Sequence, residues 1–126
     1  MPKILIVDDD PDIIEACTLI LTREGYDVSS ALNRDQGMQM VTDMQPDILI
    51  LDVMMEQPDD GIAMAQELRR KGFKNPIMML TSVGKATGFE FDKDDEIVPV
   101  DVFEEKPIEP SRLLSIVKEL LPEKEG

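Results

Sequence analysis

Residues 3–11 read K-I-L-I-V-D-D-D-P, and this stretch decides the fold. Its apolar run, Ile4 to Val7, is long enough for a buried strand and too short for a helix, and three aspartates end it. Two similar runs follow, I-L-I-L over 48–51 and I-M-M-L over 77–80. Because these runs are continuous rather than alternating, they are typical of strands that are buried on both faces of a parallel sheet.

Segments with apolar residues at helical spacing separate these strands. The clearest is Pro11 to Glu24, because Asp10 suits the N-cap, Pro11 suits the first helical position and Gly25 suits the C-terminal end. The same patterns predict three more helices, at 35–44, 61–71 and 111–121, and two more strands, at 27–31 and 100–103. This alternation predicts an α/β fold, with a doubly wound parallel sheet and helices on both faces.

One segment lacks a regular pattern. Residues 84–96 contain two glycines, seven charges and only two large apolar residues, Phe89 and Phe91. Since these two phenylalanines are two positions apart, they do not form the apolar stripe of a helix. We expect an irregular loop or a small hairpin here.

The composition indicates one compact domain. Of 126 residues, 42% are hydrophobic and 32% are charged, which is enough for one core. We expect a single domain over residues 1–122, with an acidic tail over residues 123–126 and no second domain.

The net charge restricts the partners. It is −14, from 27 acidic and 13 basic residues. Such a charge repels phosphate backbones and anionic lipids, so we expect no direct binding to nucleic acid or to membranes. It favours divalent cations and basic partner surfaces, although surplus surface acid also simply keeps a protein soluble.

The lack of histidine and the single cysteine exclude several kinds of chemistry. Cys17 is the only cysteine, which excludes an internal disulfide and a cysteine metal site and favours a reduced, cytoplasmic setting. There is no histidine, and no apolar run approaches the roughly 20 residues that span a bilayer. Any chemistry must therefore come from carboxylates, hydroxyls and lysine.

Polar residues end or follow the predicted strands. In a doubly wound parallel sheet, ligands bind at the carboxyl ends of the strands, so these residues are expected to meet at one edge. They are Asp8, Asp9, Asp10, Asp52, Thr81, Ser82 and Lys106. Carboxylates that lie close together repel one another, and a hard divalent cation with oxygen ligands relieves that repulsion.

Four motifs in this order resemble the receiver domains of two-component response regulators. They are K-I-L-I-V-D-D-D-P, I-L-I-L-D-V-M-M, M-M-L-T-S and E-E-K-P, and the resemblance covers nearly the whole chain. It implies a flavodoxin-like, five-stranded parallel sheet in the order 2-1-3-4-5. The family normally has a fourth helix over residues 84–98, and the pattern there predicts that this helix is irregular or missing.

The resemblance implies a metal site and a phosphoryl acceptor. Mg²⁺, for which Mn²⁺ could substitute, would be bound by Asp8, Asp9, Asp52 and the backbone carbonyl of Met54. Asp52 would be the residue that accepts the phosphoryl group.

It also implies a sensor for the phosphoryl group. The Thr81 hydroxyl and the Lys106 ammonium would contact that group, and Phe103 would move together with Thr81 as a switch.

The implied function is that of a stand-alone, chemotaxis-regulator-like receiver. A sensor histidine kinase or a phosphotransfer protein would supply the phosphoryl group, and the output would be contact with a downstream protein. Apart from Mg²⁺-dependent self-phosphorylation and slow self-dephosphorylation, we expect no enzyme activity. The chain departs from the family beside the acceptor, where Glu56 replaces the usual proline and Gly61 lies one residue later than usual.

Plainer alternatives remain open at this point. The three aspartates after the first strand could be helix-capping acids, a role that we favour for Asp10. Lys106 could be a surface lysine, and Phe103 could be a packing residue. A receiver-like binding module that works without phosphorylation is the second hypothesis. A flavodoxin-like cofactor binder is disfavoured, because carboxylates stand where a phosphate would need donors.

Overall fold

The computed structural model describes residues 2–53, 60–82, 100–106 and 108–121, with only the backbone of Ser82 and Lys106. Five strands and four helices occur in these ranges. They are β1 (Lys3–Val7), α1 (Pro11–Arg23), β2 (Asp27–Ala31), α2 (Arg34–Met44), β3 (Ile48–Asp52), α3 (Asp60–Arg70), β4 (Ile77–Ser82), β5 (Val102–Lys106) and α4 (Pro110–Leu120). All paired strands are parallel, and the sheet order is β2-β1-β3-β4-β5. The predicted fold class is confirmed.

Alternate residues of the central strands form two separate cores. Leu5, Leu49 and Met79 belong to the core that also contains buried residues of α2 and α3. Their neighbours Ile4 and Ile50 belong to the core that contains buried residues of α1 and α4. Both faces of the sheet are therefore covered, which explains why the strands are apolar throughout.

The helix ends follow from local chemistry. The Asp10 side chain accepts a hydrogen bond from the Asp12 backbone N–H at 3.0 Å, which confirms its predicted role as the N-cap of α1. After α1, Gly25 has a φ of 93°, a conformation that glycine adopts without the steric cost of a side chain. Asn33 caps α2 by accepting from the Gln36 backbone N–H at 2.8 Å.

The predicted bounds of β5 were wrong. We expected this strand at 100–103, but it spans Val102–Lys106. Asp101 precedes it and exchanges two hydrogen bonds with Ile77, each at 2.9 Å. Since β5 is an edge strand with one neighbour, it tolerates polar residues such as Glu104, which bonds to Arg112 at 2.7 Å. An apolar pattern alone therefore misplaces it, and Lys106 lies inside the strand rather than after it.

Two predictions fall on parts of the chain that the structure does not describe. The irregular or missing helix over residues 84–98 lies outside the described residues, as does the acidic tail. Among the helices that are described, none is long and apolar enough to cross a membrane.

Candidate metal centre

Three carboxylates meet at the carboxyl edge of the sheet. One side-chain oxygen from each of Asp8, Asp9 and Asp52 lies within 4.8 Å of the other two. Asp8 and Asp52 are 1% and 6% exposed, whereas Asp9 is open to solvent. The cluster thus combines two buried carboxylates with one that solvent reaches.

The sheet register brings these acids together. Val7 of β1 pairs with Leu51 of β3, so the next residues, Asp8 and Asp52, lie at the same level at the carboxyl ends of these adjacent parallel strands. The backbone N–H of Asp8 donates to Ala31 at 3.1 Å. One side-chain oxygen of Asp8 accepts from the backbone N–H of Asp10 at 2.9 Å, which orients the carboxylate. Asp10 itself caps α1 and is not part of the cluster.

The ligand set fits a hard divalent cation. Carboxylate oxygens are the ligands that Mg²⁺ prefers, and three negative charges at this distance repel one another in the absence of a counter-charge. Because two of the three acids are buried, solvent screens this repulsion less than at an open surface. Met54, whose carbonyl was expected to be a further ligand, lies outside the described residues.

The other expected site residues lie on β4 and β5. Thr81 is buried and directly follows Leu80, the residue that pairs with Asp52. Phe103 pairs with Met79 and packs, partly buried, against the core under α2 and α3. Since side chains two residues apart point to the same face of a strand, Thr81 shares this face with Met79 and Phe103. The Lys106 backbone pairs with Ser82, and its side chain is outside the described part.

Gly61 contacts the backbone at the end of β3 more closely than the sequence predicts. Its backbone N–H donates to the Val53 carbonyl at 2.8 Å. A Cβ atom at this position would collide with the Asp52 carbonyl oxygen and would lie 2.8 Å from the Val53 Cα. Although Gly61 is one residue later than in the family pattern, the start of α3 is held directly against the backbone of Asp52.

A charged network beside this contact was not predicted. Arg34, the first residue of α2, donates to Glu67 of α3 at 2.8 Å, and its second terminal nitrogen is 3.8 Å from the Asp60 carboxylate. The Arg34 hydrogen bond is the main reason that the pKa of Glu67 is lowered, with Lys71 adding to the effect. Asp60 is buried, with 6% of its surface exposed. The sequence shows these charges but not which of them meet.

The fold and the site define an α/β domain with an acidic pocket at the carboxyl edge of a 2-1-3-4-5 sheet. The family model of the response regulator receiver domain matches residues 4–118. The chain belongs to this family, which confirms the resemblance that the motifs indicated.

Similar proteins agree with this assignment. The chain is 35% identical to the DNA-binding dual master transcriptional regulator RpaA of Synechocystis sp., over 96% of this chain and 49% of that protein. It is 33% identical to the alkaline phosphatase synthesis transcriptional regulatory protein PhoP of Bacillus subtilis, over 94% and 48%. The crystal structure of the response regulator TrrA of Thermotoga maritima with Mg²⁺–BeF matches with a TM-score of 0.81 and 30% identity, over 96% of this chain and 100% of that chain.

Family membership establishes the general function. Receiver domains are phosphorylated on an aspartate in two-component signalling and bind Mg²⁺ at their acidic pocket, and in general they are not enzymes that turn over external substrates. This chain is such a domain and has such a pocket. It spans about half the length of the two curated relatives described above.

Proposed function

We propose that this receiver accepts a phosphoryl group on Asp52 from a sensor histidine kinase or a phosphotransfer protein. The observation that carries the proposal is the cluster of Asp8, Asp9 and Asp52, whose oxygens lie within 4.8 Å of one another. Asp52 suits the acceptor role because it ends the central strand of the sheet and because Gly61 packs against its backbone carbonyl. A fixed backbone limits the positions that the Asp52 carboxylate can take.

The metal residues in this proposal are Asp8, Asp9, Asp52 and the Met54 carbonyl. Bound Mg²⁺, or Mn²⁺ in its place, would supply the positive charge that offsets the carboxylates and the incoming phosphoryl oxygens. An Asp52 oxygen forms a bond to phosphorus as the bond from phosphorus to the donor imidazole nitrogen breaks. The imidazole takes up a proton as it leaves, and Asp52 becomes an aspartyl phosphate.

Thr81 and Lys106 are proposed to detect this phosphoryl group. The Thr81 hydroxyl donates a hydrogen bond to it, and the Lys106 ammonium supplies a positive charge. The position of Thr81 supports its role, because Thr81 is buried one residue beyond the strand partner of Asp52. Phe103, on the same sheet face, is proposed to move into the space that Thr81 leaves, which biases a two-state equilibrium.

The proposed activity is limited to the phosphorylation and dephosphorylation of the protein's own carboxylate. We propose Mg²⁺-dependent self-phosphorylation by small phosphoryl donors, followed by slow self-dephosphorylation, without turnover of an external substrate. Output is proposed to occur by contact with a downstream protein, in the cytoplasm, from a receiver that acts alone.

Direct binding to nucleic acid or to membranes is not part of this proposal. The supporting observation is the net charge of −14, which opposes approach to phosphate backbones and anionic lipids. The name of RpaA describes DNA binding by that longer protein, of which this chain covers 49%.

Intact-mass measurement after incubation with acetyl phosphate and Mg²⁺ tests the proposed function. We expect wild type to gain one phosphoryl group and Asp52→Asn to gain none. The mass gain should disappear when EDTA removes Mg²⁺. A wild-type protein without added mass, or equal labelling of Asp52→Asn, would contradict the proposal and would favour a receiver-like module that binds partners without phosphorylation.

A further inference from the structure

The backbone of the proposed acceptor is supported by the first turn of α3. Gly61 donates to the Val53 carbonyl at 2.8 Å, and it lies so close to the Asp52 carbonyl that no side chain fits between them. Any displacement of the start of α3 is therefore transmitted to Asp52 and Val53. Whatever fixes the start of α3 also fixes the acceptor.

The residue before Gly61 carries a charge that needs stabilisation. Asp60 is the first residue of α3, and its side chain is only 9% exposed. The helix N-terminus favours a negative charge there, yet burial of a carboxylate remains costly unless cations or hydrogen-bond donors compensate it. Arg34 provides a cation, since its guanidinium lies 3.8 Å from Asp60.

Arg34 is itself held in place from α3. Its Nη2 atom donates to Glu67 at 2.8 Å, while its Nη1 atom faces Asp60. Glu67 also pairs with Lys71 at 3.4 Å. Arg34 begins α2, whose cap Asn33 fixes the local backbone. The guanidinium therefore connects the start of α2 with the start of α3. Within the part of the chain that the structure describes, Asp60 joins this network to Gly61 and so to the acceptor backbone.

We propose that Arg34 is a positioning residue for phosphorylation, which acts through Asp60 and Gly61 on the backbone of Asp52. This inference rests on the proposed function. Arg34 does not contact the phosphoryl group in this account. Its contribution is to keep the Asp52 oxygen in the geometry that attack on phosphorus requires, because small misplacements of a reacting group slow a reaction strongly.

The test compares rate constants for labelling of Asp52 by acetyl phosphate at saturating Mg²⁺ and well below the unfolding temperature. We expect Arg34→Gln to label roughly 10-fold more slowly than wild type. Arg34→Lys keeps the charge and should recover most of the rate. Lys71→Gln removes an equal charge from the same network, away from Asp60, and should stay within about twofold of wild type, since it is an exposed pair.

A double-variant cycle separates positioning from general destabilisation. If Arg34 acts through Asp60, the Arg34→Gln change should have little further effect on the rate in an Asp60→Asn background. A variant that is only less stable would have an unchanged rate constant per folded molecule, obtained by dividing the observed rate constant by the folded fraction. Rate constants per folded molecule can be compared across the cycle even if one of the single variants is only partly folded.

The outcomes are distinct. Slow labelling of Arg34→Gln, with recovery in Arg34→Lys and a non-additive cycle, supports the inference. An Arg34→Gln rate constant within about twofold of an active wild type, additive effects in the cycle, or equal slowing in Lys71→Gln overturns it and leaves the proposed function standing. No labelling of wild type overturns the proposed function and this inference with it.

Discussion

Gly61 connects the fold to the proposed chemistry, because it packs against the backbone of the proposed acceptor, Asp52. Its position leaves no space for a side chain between α3 and the Asp52 carbonyl. The family pattern led us to expect an altered loop here, because Gly61 is one residue late. In the structure the backbone N–H of Gly61 donates to the Val53 carbonyl at 2.8 Å.

Gly61→Ala should destabilise the protein by about 3 kcal/mol, because the added methyl group meets backbone atoms that have no rotamer to change. Urea unfolding measures this loss. We also expect slower labelling of Asp52 in the molecules that remain folded, since the collision involves the acceptor backbone.

Gly25→Ala is the matched control. Its Cβ would meet nothing within 4 Å, but its φ of 93° imposes a backbone cost of about 1–2 kcal/mol. It lies after α1, at the opposite edge of the sheet from the acid cluster, so labelling should stay at the wild-type rate. Equal stability of Gly61→Ala and wild type would contradict the stabilising role that we assign to this close approach.

The members of the acid cluster could be predicted from the sequence, but the charged pair beside it, Arg34 and Asp60, could not. Asp8, Asp9 and Asp52 each follow or end a strand that the apolar runs predict, and parallel strands place such residues at one edge. The Arg34–Asp60 pair depends on how α2 and α3 are placed relative to each other, which no local pattern encodes. Charged side chains with several possible partners are therefore the part of a site that sequence reasoning misses.

At the scale of elements, the helices were predicted to within about a residue at each end, because caps and stop signals are local. Helices begin at the N-caps Asp10 and Asn33 and at Pro110 in the first helical turn. The positive φ of Gly25 follows the end of α1. Strand β5 was misplaced because its position depends on hydrogen bonds to β4 and on Asp101, rather than on its own composition. Edge strands carry a weaker apolar signal than central ones.

The two caps of α2 and α4 should contribute differently to stability. The Asn33 side chain accepts a hydrogen bond from Gln36, whereas the Glu109 side chain makes no capping bond. We expect Asn33→Ala to lower the free energy of unfolding by about 1 kcal/mol. Glu109→Ala should change it by much less, since Pro110 already suits the first helical turn. Equal losses in urea titrations of the two variants would contradict this assignment.

At the scale of the whole molecule, the sheet order explains why distant parts of the chain form one pocket. Val7 of β1 and Leu51 of β3 are 44 positions apart in the sequence but are paired in the sheet. β4 adds Thr81 from the other side of β3. The chain carries a net charge of −14, and the cluster concentrates three of its acids within 4.8 Å. A divalent cation is the counter-charge that this arrangement suits best.

Mg²⁺ titration calorimetry at constant ionic strength tests the central claim most directly. We expect one site in wild type and an affinity at least ~10-fold lower in Asp8→Asn and in Asp52→Asn, because one charge about 4 Å from the ion is lost. Asp10→Asn is the matched control, since asparagine also caps helices and Asp10 lies outside the cluster, and it should bind Mg²⁺ like wild type. Unchanged Mg²⁺ affinity in Asp8→Asn and Asp52→Asn would contradict the account.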